Sequence, residues 1–236
     1  MPTASAKKAK RKHRDILVID VGGTHVKMKL NAHSGRREFE SGPELSAAAM
    51  VVEVTNMTKD WKYDAVSIGY PGPVAGNRPI TEPYNLGKGW MGFDFQKAFH
   101  RPVRVINDAA MQALGSYRGG RMLFLGLGTG LGSALIIDGL IEPMEVAHLP
   151  YKKGKSFEHY LGNEGLERSG LKKWRKHVSA VVEMLRAALE AEYVVLGGGN
   201  AEKIGKLPPH TLRGDNDKAF VGGMRLWHDR HTRAKN

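Results

Sequence analysis

The sequence predicts an α/β protein, because apolar segments of strand length alternate with amphipathic helical segments along its 236 residues. Two glycine-rich turns, at residues 20–27 and 126–133, each lie between two strand-like segments, so the two halves of the chain share one pattern. An α/β chain of this length often divides around a cleft. We therefore expect two α/β lobes, residues 15–106 and residues 107–227, on either side of a cleft.

The first half of the chain begins with an apolar strand. The segment after the first glycine turn alternates apolar and polar residues, as the second arm of a hairpin does. A later stretch is rich in Gly, Pro and Asn, which is typical of a binding loop. The elements expected here are, in order, strands at 15–20 and 26–30, a helix at 43–60, a strand at 65–69, a loop at 74–99 and a strand at 103–106.

The second half repeats the strand, glycine turn and strand unit and contains the clearest helix of the chain. In that helix Leu171, Trp174, Val178 and Leu185 share one apolar stripe, and lysines and arginines lie off it. A glycine triplet and Asn200 follow the last strand. The elements expected here are a helix at 108–117, strands at 122–127 and 134–138, a helix at 171–191 and a strand at 193–196.

Both glycine turns are candidate phosphate-binding sites. Glycine has no Cβ, so backbone N–H groups in such a turn approach an anion closely, and a Gly-Thr step adds a hydroxyl donor. Two such turns can hold one chain of phosphates from both sides, whereas each turn taken singly is equally consistent with a tight hairpin. The candidate phosphate-binding residues are Gly22, Gly23, Thr24, Gly128, Thr129 and Gly130.

The composition limits the class of protein. The chain has no cysteine, which excludes disulfides and thiolate metal sites. Its longest apolar runs are of strand length, far below the roughly 20 residues that a membrane-spanning helix needs. Residues 1–14 lack the apolar stretch of a secretory signal. We expect a cytoplasmic protein without a membrane partner.

The net charge of +12 is concentrated in three segments. Residues 1–14 contain six basic residues and no acidic one, and residues 224–236 contain four basic residues and one acidic residue. The two ends, 1–14 and 228–236, are expected to be disordered tails. Residues 151–177 contain eight basic and three acidic residues, and this internal segment is either a solvated face or a surface that binds a polyanion.

Six short motifs occur in order at 20–27 (DVGGTHVK), 71–74 (PGPV), 106–110 (INDAA), 126–132 (GLGTGLG), 145–148 (EVAH) and 197–200 (GGGN). This order is that of sugar kinases of the ROK family, and the chain resembles the polyphosphate-using glucokinases of that family most closely. The resemblance extends over about residues 15–227. It implies an actin-like (ribonuclease H-like) sugar kinase fold, with sugar and phosphoryl donor on opposite sides of the cleft.

Two carboxylates are expected to do the chemistry. Asp108 is the candidate general base for a sugar 6-hydroxyl, because it follows a predicted strand, opens a helix and matches the resembled motif; its alternative role is to cap that helix. Asp20 is the candidate ligand of Mg²⁺ or of its water, since magnesium prefers carboxylate, phosphate and water oxygens; alternatively it stabilises the turn. Lys27 is a candidate phosphate contact that alternatively faces solvent.

The resemblance also assigns residues to the sugar and to the donor. Sugar recognition requires carboxylates and amides that bind vicinal hydroxyls. On the donor side, Gly198 and Gly199 match the family pattern. Ala147 replaces the glycine that commonly precedes the motif histidine. The expected sugar-binding residues are Asn85, Asn107, Glu145, His148 and Glu158.

The expected metal ion follows from one departure from the family pattern, whereas the donor stays open between two candidates. Many ROK proteins carry a cysteine-rich zinc site where this chain has residues 151–158, and that segment contains no cysteine. We therefore expect Mg²⁺ and no thiolate zinc. Polyphosphate and ATP both remain open as donors, and Lys152, Lys153 and Lys155 are the expected polyphosphate track.

The resemblance implies a glucokinase that transfers a phosphoryl group from inorganic polyphosphate, from ATP or from both to the 6-hydroxyl of glucose, and it implies a homodimer. The alternatives are a sugar-sensing regulator of the ROK type and a non-catalytic sugar-binding protein. Residues 1–14 are too short for a helix-turn-helix unit and show no apolar periodicity, so no nucleic-acid partner is expected.

Overall fold

The computed structural model describes residues 15–30 and 35–227 as two five-stranded mixed β-sheets with helices between and around them. The two predicted tails, at 1–14 and 228–236, lie outside the described residues. No helix within the described ranges is both long enough and apolar enough to cross a lipid bilayer.

The first sheet is built from an antiparallel meander extended by parallel strands. Its strand order is β3-β2-β1-β4-β7, in which β1, β2 and β3 pair antiparallel and β4 and β7 add in parallel. The elements of this half are β1 (Ile16–Val21), β2 (His25–Leu30), β3 (Arg36–Glu40), α1 (Ala47–Met57), β4 (Ala65–Tyr70), β5 (Val74–Ala75), β6 (Arg78–Pro79), α2 (Phe95–Phe99), β7 (Val103–Asn107) and α3 (Asp108–Ser116).

The second sheet repeats this arrangement. Its order is β10-β9-β8-β13-β14, again with an antiparallel meander followed by two parallel strands. The elements of this half are β8 (Arg121–Leu127), β9 (Leu131–Ile137), β10 (Leu140–Met144), β11 (Pro150–Lys152), β12 (Lys155–Ser156), α4 (Phe157–Leu161), α5 (Asn163–Ala188), β13 (Tyr193–Gly197), β14 (Thr211–Arg213) and α6 (Lys218–Arg225). The repeat places the two glycine turns at equivalent hairpins, β1–β2 and β8–β9.

Most predicted elements are present, with shifted ends. The predicted helix at 43–60 is shorter, because the Ser46 side chain caps it by accepting a hydrogen bond from the Ala49 amide at 3.2 Å. The predicted helix at 171–191 begins earlier, at Asn163, and Gly170 interrupts it with a φ of 72°. The predicted start therefore coincides with the second of two helical segments. Sequence patterns missed the charged edge strand β3 and the short helices α2 and α6.

Three apolar clusters form the core. One joins the first sheet to α1 and α2, and a second joins the second sheet to α5. The third lies between the sheets around α3 and α6, and it includes Val18 of β1 and Phe124 of β8. The helices α3 and α6 touch backbone to backbone, since a Cβ at Gly222 would lie 1.8 Å from the Met111 carbonyl oxygen. Hence α3 is held rigidly between the two sheets.

The end of the described chain returns to the first sheet. The Ser67 hydroxyl of β4 donates to the Gly223 carbonyl oxygen at 2.6 Å, and the Trp227 indole Nε1 donates to the Ser67 hydroxyl at 2.8 Å. Part of the segment predicted as the second lobe thus packs on the sheet of the first. The division into lobes at residues 106 and 107 stays a prediction.

Candidate active site

Asp108 lies where β7 ends and α3 begins, and the helix has a different residue as its cap. The Asn107 Oδ1 atom accepts from the Ala110 amide at 3.0 Å, and its Nδ2 atom donates to the Gly72 carbonyl oxygen at 3.2 Å. Asp108 is the first helical residue, and its Oδ1 atom accepts from the adjacent Ala109 amide at 2.8 Å. Capping is therefore performed by Asn107, and the Asp108 carboxylate is available for another role.

Asp20 and Asp108 form an electrostatically coupled pair. Burial raises the pKa of Asp108 to about 7, with further upward contributions from the negative charges of Asp20 and Glu145. Burial also raises the pKa of Asp20 to about 6, against the opposing effect of Lys27, its cross-strand neighbour on β2. A carboxylate with a pKa near neutrality is suited to accept a proton at physiological pH.

The first glycine turn is closed and oriented by backbone hydrogen bonds. The Gly22 amide donates to the His25 carbonyl oxygen at 3.0 Å. Ser41 then holds both carbonyl groups of the turn: its hydroxyl donates to Gly22 at 2.7 Å, and its amide donates to Thr24 at 2.9 Å. The Thr24 side chain is exposed. Asn85 packs on this turn, because a Cβ at Gly23 would lie 3.2 Å from the Asn85 Cβ.

The second glycine turn is held by two asparagines, Asn163 and Asn200, which we call the asparagine clamp. The Asn163 amide donates to the Gly128 carbonyl oxygen at 3.0 Å, and the buried Asn200 donates from Nδ2 to Asn163 Oδ1 at 2.6 Å. The Asn200 amide donates to the Leu127 carbonyl oxygen at 2.9 Å. These bonds turn carbonyl groups towards the protein, and within the described ranges the Thr129 and Gly130 amides have no protein acceptor.

The glycine triplet after β13 packs against this second turn. A Cβ at Gly198 would lie 2.3 Å from the Leu127 carbonyl oxygen, so only glycine fits there. By contrast, a Cβ at Gly199 or Gly128 would point into open space. The exposed Thr129 side chain and these open glycines form one continuous surface at the ends of β8 and β13. Such a surface of small residues and backbone amides suits a phosphate group.

Three of the predicted sugar-binding residues lie close together beside the second turn. The Glu158 Oε2 atom accepts from the Leu131 amide at 3.1 Å, and the same carboxylate lies against Gly130. Burial raises the pKa of Glu145. The charge of Glu158 raises this pKa further, and the charge of His148 opposes the increase. Because Glu145 also acts on Asp108, these groups share one electrostatic environment that extends from the first turn to the second. The side chains of Glu145 and His148 are exposed.

The predicted polyphosphate track lies on the β11–β12 hairpin, where the side chains of Lys152, Lys153 and Lys155 are all exposed. The hairpin rests on α5, since the Tyr151 hydroxyl lies 3.3 Å from His177 Nδ1. It leads directly into α4, whose Glu158 contacts the second glycine turn. The lysines therefore lie within six positions of Glu158, which contacts the second glycine turn.

A magnesium ion fits the donor set at Asp20. Within the described ranges, no group of three or more His, Cys, Asp or Glu side chains is arranged to hold a metal. Magnesium does not need such a cage, because it usually binds one or two carboxylates together with substrate phosphates and water. Asp20 is a partly exposed carboxylate beside the first turn, and it is the residue that would hold Mg²⁺ or its water.

Sequence patterns named the candidate chemical residues of this site, and they missed the residues that support the two turns. Ser41 and Asn163 carry no motif, and both donate hydrogen bonds to backbone carbonyl groups of the turns. Asn163 had one available signal, because a Gly-Asn pair ahead of a helical segment often marks a helix start. No local signal marks Ser41, since its contact with the first turn depends on the pairing of β2 with β3.

Several known proteins are similar to this chain in sequence or in fold. The polyphosphate glucokinase of Mycobacterium tuberculosis is 27% identical over 215 residues, which cover 81% of this chain and 80% of the relative. The inorganic polyphosphate/ATP-glucomannokinase from Arthrobacter sp. strain KM superposes with a TM-score of 0.74 at 22% identity, covering 91% of this chain and 98% of the other. A ROK family transcriptional regulator, a homologue of the E. coli MLC protein, superposes with a TM-score of 0.68 at 14% identity, covering 90% and 77%.

The predicted actin-like sugar kinase fold is confirmed by these structural matches and by the repeated sheet order. A sequence model of the ROK family matches residues 16–142, which span β1 to β10 and include both glycine turns and Asp108. This chain therefore belongs to the ROK family.

Proposed function

We propose that this chain is a glucokinase that transfers the terminal phosphoryl group of inorganic polyphosphate, of ATP or of both to the 6-hydroxyl of glucose. The observation that carries the proposal is the position of Asp108 at the start of α3, where Asn107 caps the helix in its place and where its carboxylate is affected by the charges of Asp20, beside the first glycine turn, and of Glu145. The names of the similar proteins support the substrate class.

In the proposed reaction, the Asp108 carboxylate accepts the proton of the glucose 6-hydroxyl. The oxygen then forms a bond to the terminal phosphorus of the donor, while the bond between that phosphorus and its bridging oxygen breaks. The products are glucose 6-phosphate and a donor shortened by one phosphate. Asn85, Asn107, Glu145, His148 and Glu158 are proposed to orient the sugar.

The donor is proposed to lie between the two turns. The exposed hydroxyls of Thr24 and Thr129 and the glycine amides of the turns would contact its phosphates, with Gly198 and Gly199 at the side. Lys27, beside Asp20, adds a positive charge. Bound Mg²⁺ would supply charge that neutralises the phosphate oxygens.

The test is a coupled glucose 6-phosphate assay in which ATP and long-chain polyphosphate are offered separately with glucose and Mg²⁺. Formation of glucose 6-phosphate with either donor supports a kinase, and the ratio of the two rates assigns the donor. No product with either donor would favour a regulator, and one of the similar structures is named as a ROK family transcriptional regulator.

Magnesium dependence is the first expected result. Activity should require Mg²⁺ and should be indifferent to a zinc chelator, because phosphate charge needs a hard cation and the chain has no thiolate. Asp20→Asn should raise the half-saturating Mg²⁺ concentration about tenfold or more, since a charged ligand is replaced by a neutral amide. The exposed Glu53→Gln on α1 is the matched control. Equal Mg²⁺ dependence in both variants would remove Asp20 from the metal site.

The asparagine clamp gives a second expected result. Asn200→Ala removes the hydrogen bond to Asn163 from the buried side chain of Asn200 and leaves the half-buried Asn163 Oδ1 atom without this donor, so the unfolding free energy should fall by about 1 kcal/mol. Because the clamp orients the second turn, the half-saturating donor concentration should rise about tenfold while that of glucose changes little. The exposed Asn56→Ala is the control. Equal losses for donor and glucose would show that Asn200 acts only on stability.

The β11–β12 hairpin with Lys152, Lys153 and Lys155, which we call the lysine hairpin, gives a third expected result. Replacing Lys152, Lys153 and Lys155 by Gln should raise the half-saturating polyphosphate concentration and flatten its salt dependence, because fewer counterions are released on binding. The half-saturating glucose concentration should stay the same. Replacement of Lys7, Lys8 and Lys10 changes the net charge equally. If both triple variants weaken polyphosphate use alike, the donor is attracted by overall charge and the hairpin is not a defined track.

A further inference from the structure

A second basic surface lies on α5 next to the position where the lysine hairpin contacts that helix. It is a groove of about 470 Å³ lined by Arg175, Lys176, Ser179, Glu183, Ile204 and Lys206. We call it the α5 groove. None of the residues assigned above to sugar, donor or metal lines it.

The α5 groove adjoins the chain segment that follows the glycine triplet of the donor surface. One wall is at the end of the short 3-10 helix Ala201–Ile204, which directly follows Asn200 of the asparagine clamp. The other wall is the middle of the helix segment that begins after Gly170.

The lining of the groove contains three basic side chains and one acidic side chain. Arg175 donates from Nε to the Lys203 carbonyl oxygen at 2.6 Å, which fixes its guanidinium on the wall of the groove. Lys176 and Lys206 are exposed, and within residues 15–30 and 35–227 none of these three cations makes an ion pair. Glu183 is the one acidic side chain of the lining. The groove therefore offers three cations to an anionic ligand.

The groove and the lysine hairpin form one continuous basic band across α5. The hairpin meets the helix at His177, and the groove meets it at Lys176, the adjacent residue. The exposed Lys172 and Lys173 lie on the preceding turn of the same helix. A linear polyanion that follows the hairpin thus meets further cations as it crosses the helix. No aromatic side chain lines the groove for stacking on a nucleobase.

We propose that the α5 groove binds the distal phosphates of a long polyphosphate chain whose terminal phosphate lies at Asp108. This inference rests on the proposed function and adds a site for the part of the donor that does not react. A polyphosphate molecule too short to reach the groove should bind with an affinity that does not depend on the groove.

The test compares two triple variants of identical charge change. Arg175→Gln, Lys176→Gln and Lys206→Gln together remove the cations of the groove. The control is Lys59→Gln, Lys62→Gln and Arg101→Gln, which removes two lysines and one arginine from a cavity of about 440 Å³ on the first half of the chain. Binding of long-chain polyphosphate and of tripolyphosphate is measured calorimetrically across a salt series, and half-saturating concentrations of both donors, ATP and glucose are measured in the coupled assay.

The groove variant is expected to bind long-chain polyphosphate about tenfold more weakly, with a salt slope lower by about 2, since each phosphate contact contributes roughly 0.7 on a single linear chain. Its affinity for tripolyphosphate and its half-saturating concentrations of tripolyphosphate, ATP and glucose should equal those of the parent. The double variant Lys176→Gln, Lys206→Gln keeps the Arg175 anchor and should show an intermediate loss, which separates charge from folding.

Four results would overturn the proposal. The first is binding of long-chain polyphosphate by the groove variant that equals binding by the control. The second is an equal loss of affinity for tripolyphosphate and for long chains, which would indicate a structural effect. The third is a rise in the half-saturating ATP concentration as large as that for long-chain polyphosphate, which would assign the groove to the binding of a nucleoside. A parent protein that does not bind long-chain polyphosphate at all also overturns it. Failure of the proposed glucokinase function is recognised separately, as absence of glucose 6-phosphate with every donor while polyphosphate binding persists.

Discussion

Replacing Asp108 by Asn is expected to lower the turnover number by about two to four orders of magnitude, the usual contribution of a general base. The amide keeps the shape of the side chain and can still accept from the Ala109 amide, but it cannot take the proton of the sugar hydroxyl. Because the glucose contacts are unchanged, the half-saturating glucose concentration should stay within a few-fold of the parent value. Both quantities come from the coupled glucose 6-phosphate assay.

The matched control is Asp138→Asn. Asp138 occupies a turn with a φ of 50°, a conformation that asparagine adopts readily. This variant loses one carboxylate outside the site and should retain full activity. Turnover of Asp108→Asn within a few-fold of the parent would exclude Asp108 as the general base and would return it to a structural role at the start of α3.

The same substitution is expected to stabilise the protein at alkaline pH. The pKa of Asp108 is raised from 3.8 to about 7 in the folded protein, so the folded state binds a proton more tightly than the unfolded chain does. The unfavourable contribution is absent below the unfolded pKa, grows as pH rises, and is complete above the folded pKa. Asp108→Asn removes this unfavourable contribution to the free energy of unfolding. The gain at pH 8 should be on the order of 2 kcal/mol, less than full conversion of the shift because the carboxylate is partly exposed to water.

Thermal unfolding at pH 8 and at pH 5 measures this difference. The Tm of Asp108→Asn should exceed that of the parent clearly at pH 8 and much less at pH 5, where the parent carboxyl is mostly protonated. Low pH, which removes the destabilisation, should also remove the activity, because the base is active only when it is ionised. The kcat/KM of the parent should therefore fall about tenfold per pH unit below about pH 7. A Tm difference that does not change with pH would mean that the ionised Asp108 is not destabilised by its surroundings.

These two expectations share one physical cause. Burial and the neighbouring charge of Asp20 make the ionised Asp108 costly, and the same conditions give it a pKa near neutrality at which it accepts a proton. Asp20→Asn should therefore lower the pKa of Asp108 and shift the acid limb of the kcat/KM profile to lower pH. Activity and stability are opposed at this position, as is common for residues placed for chemistry.

The sequence by itself determined the class of fold and supplied the candidate chemical residues. A continuous apolar run predicted β1 and an alternating segment predicted β2. The apolar stripe with Trp174 and Val178 predicted the main part of α5, because burial on one face imposes the period of the helix on the sequence. The glycine turns and Asp108 were identifiable because each needs a particular residue type at one position. The family resemblance built on them is confirmed.

The tertiary structure decided everything that depends on residues distant in the chain. The charged segment of β3 forms a strand only because β2 offers it an edge, and the apolar face of α6 is buried only because it packs between the two sheets. Nothing in the sequence connects Asn163 with Asn200 of the GGGN motif, and only folding brings Asn200 Nδ2 to 2.6 Å from Asn163 Oδ1 beside the second turn. The raised pKa of Asp108 likewise arises from burial and from Asp20, which lies 88 positions earlier in the chain, and no local pattern encodes such a charge environment.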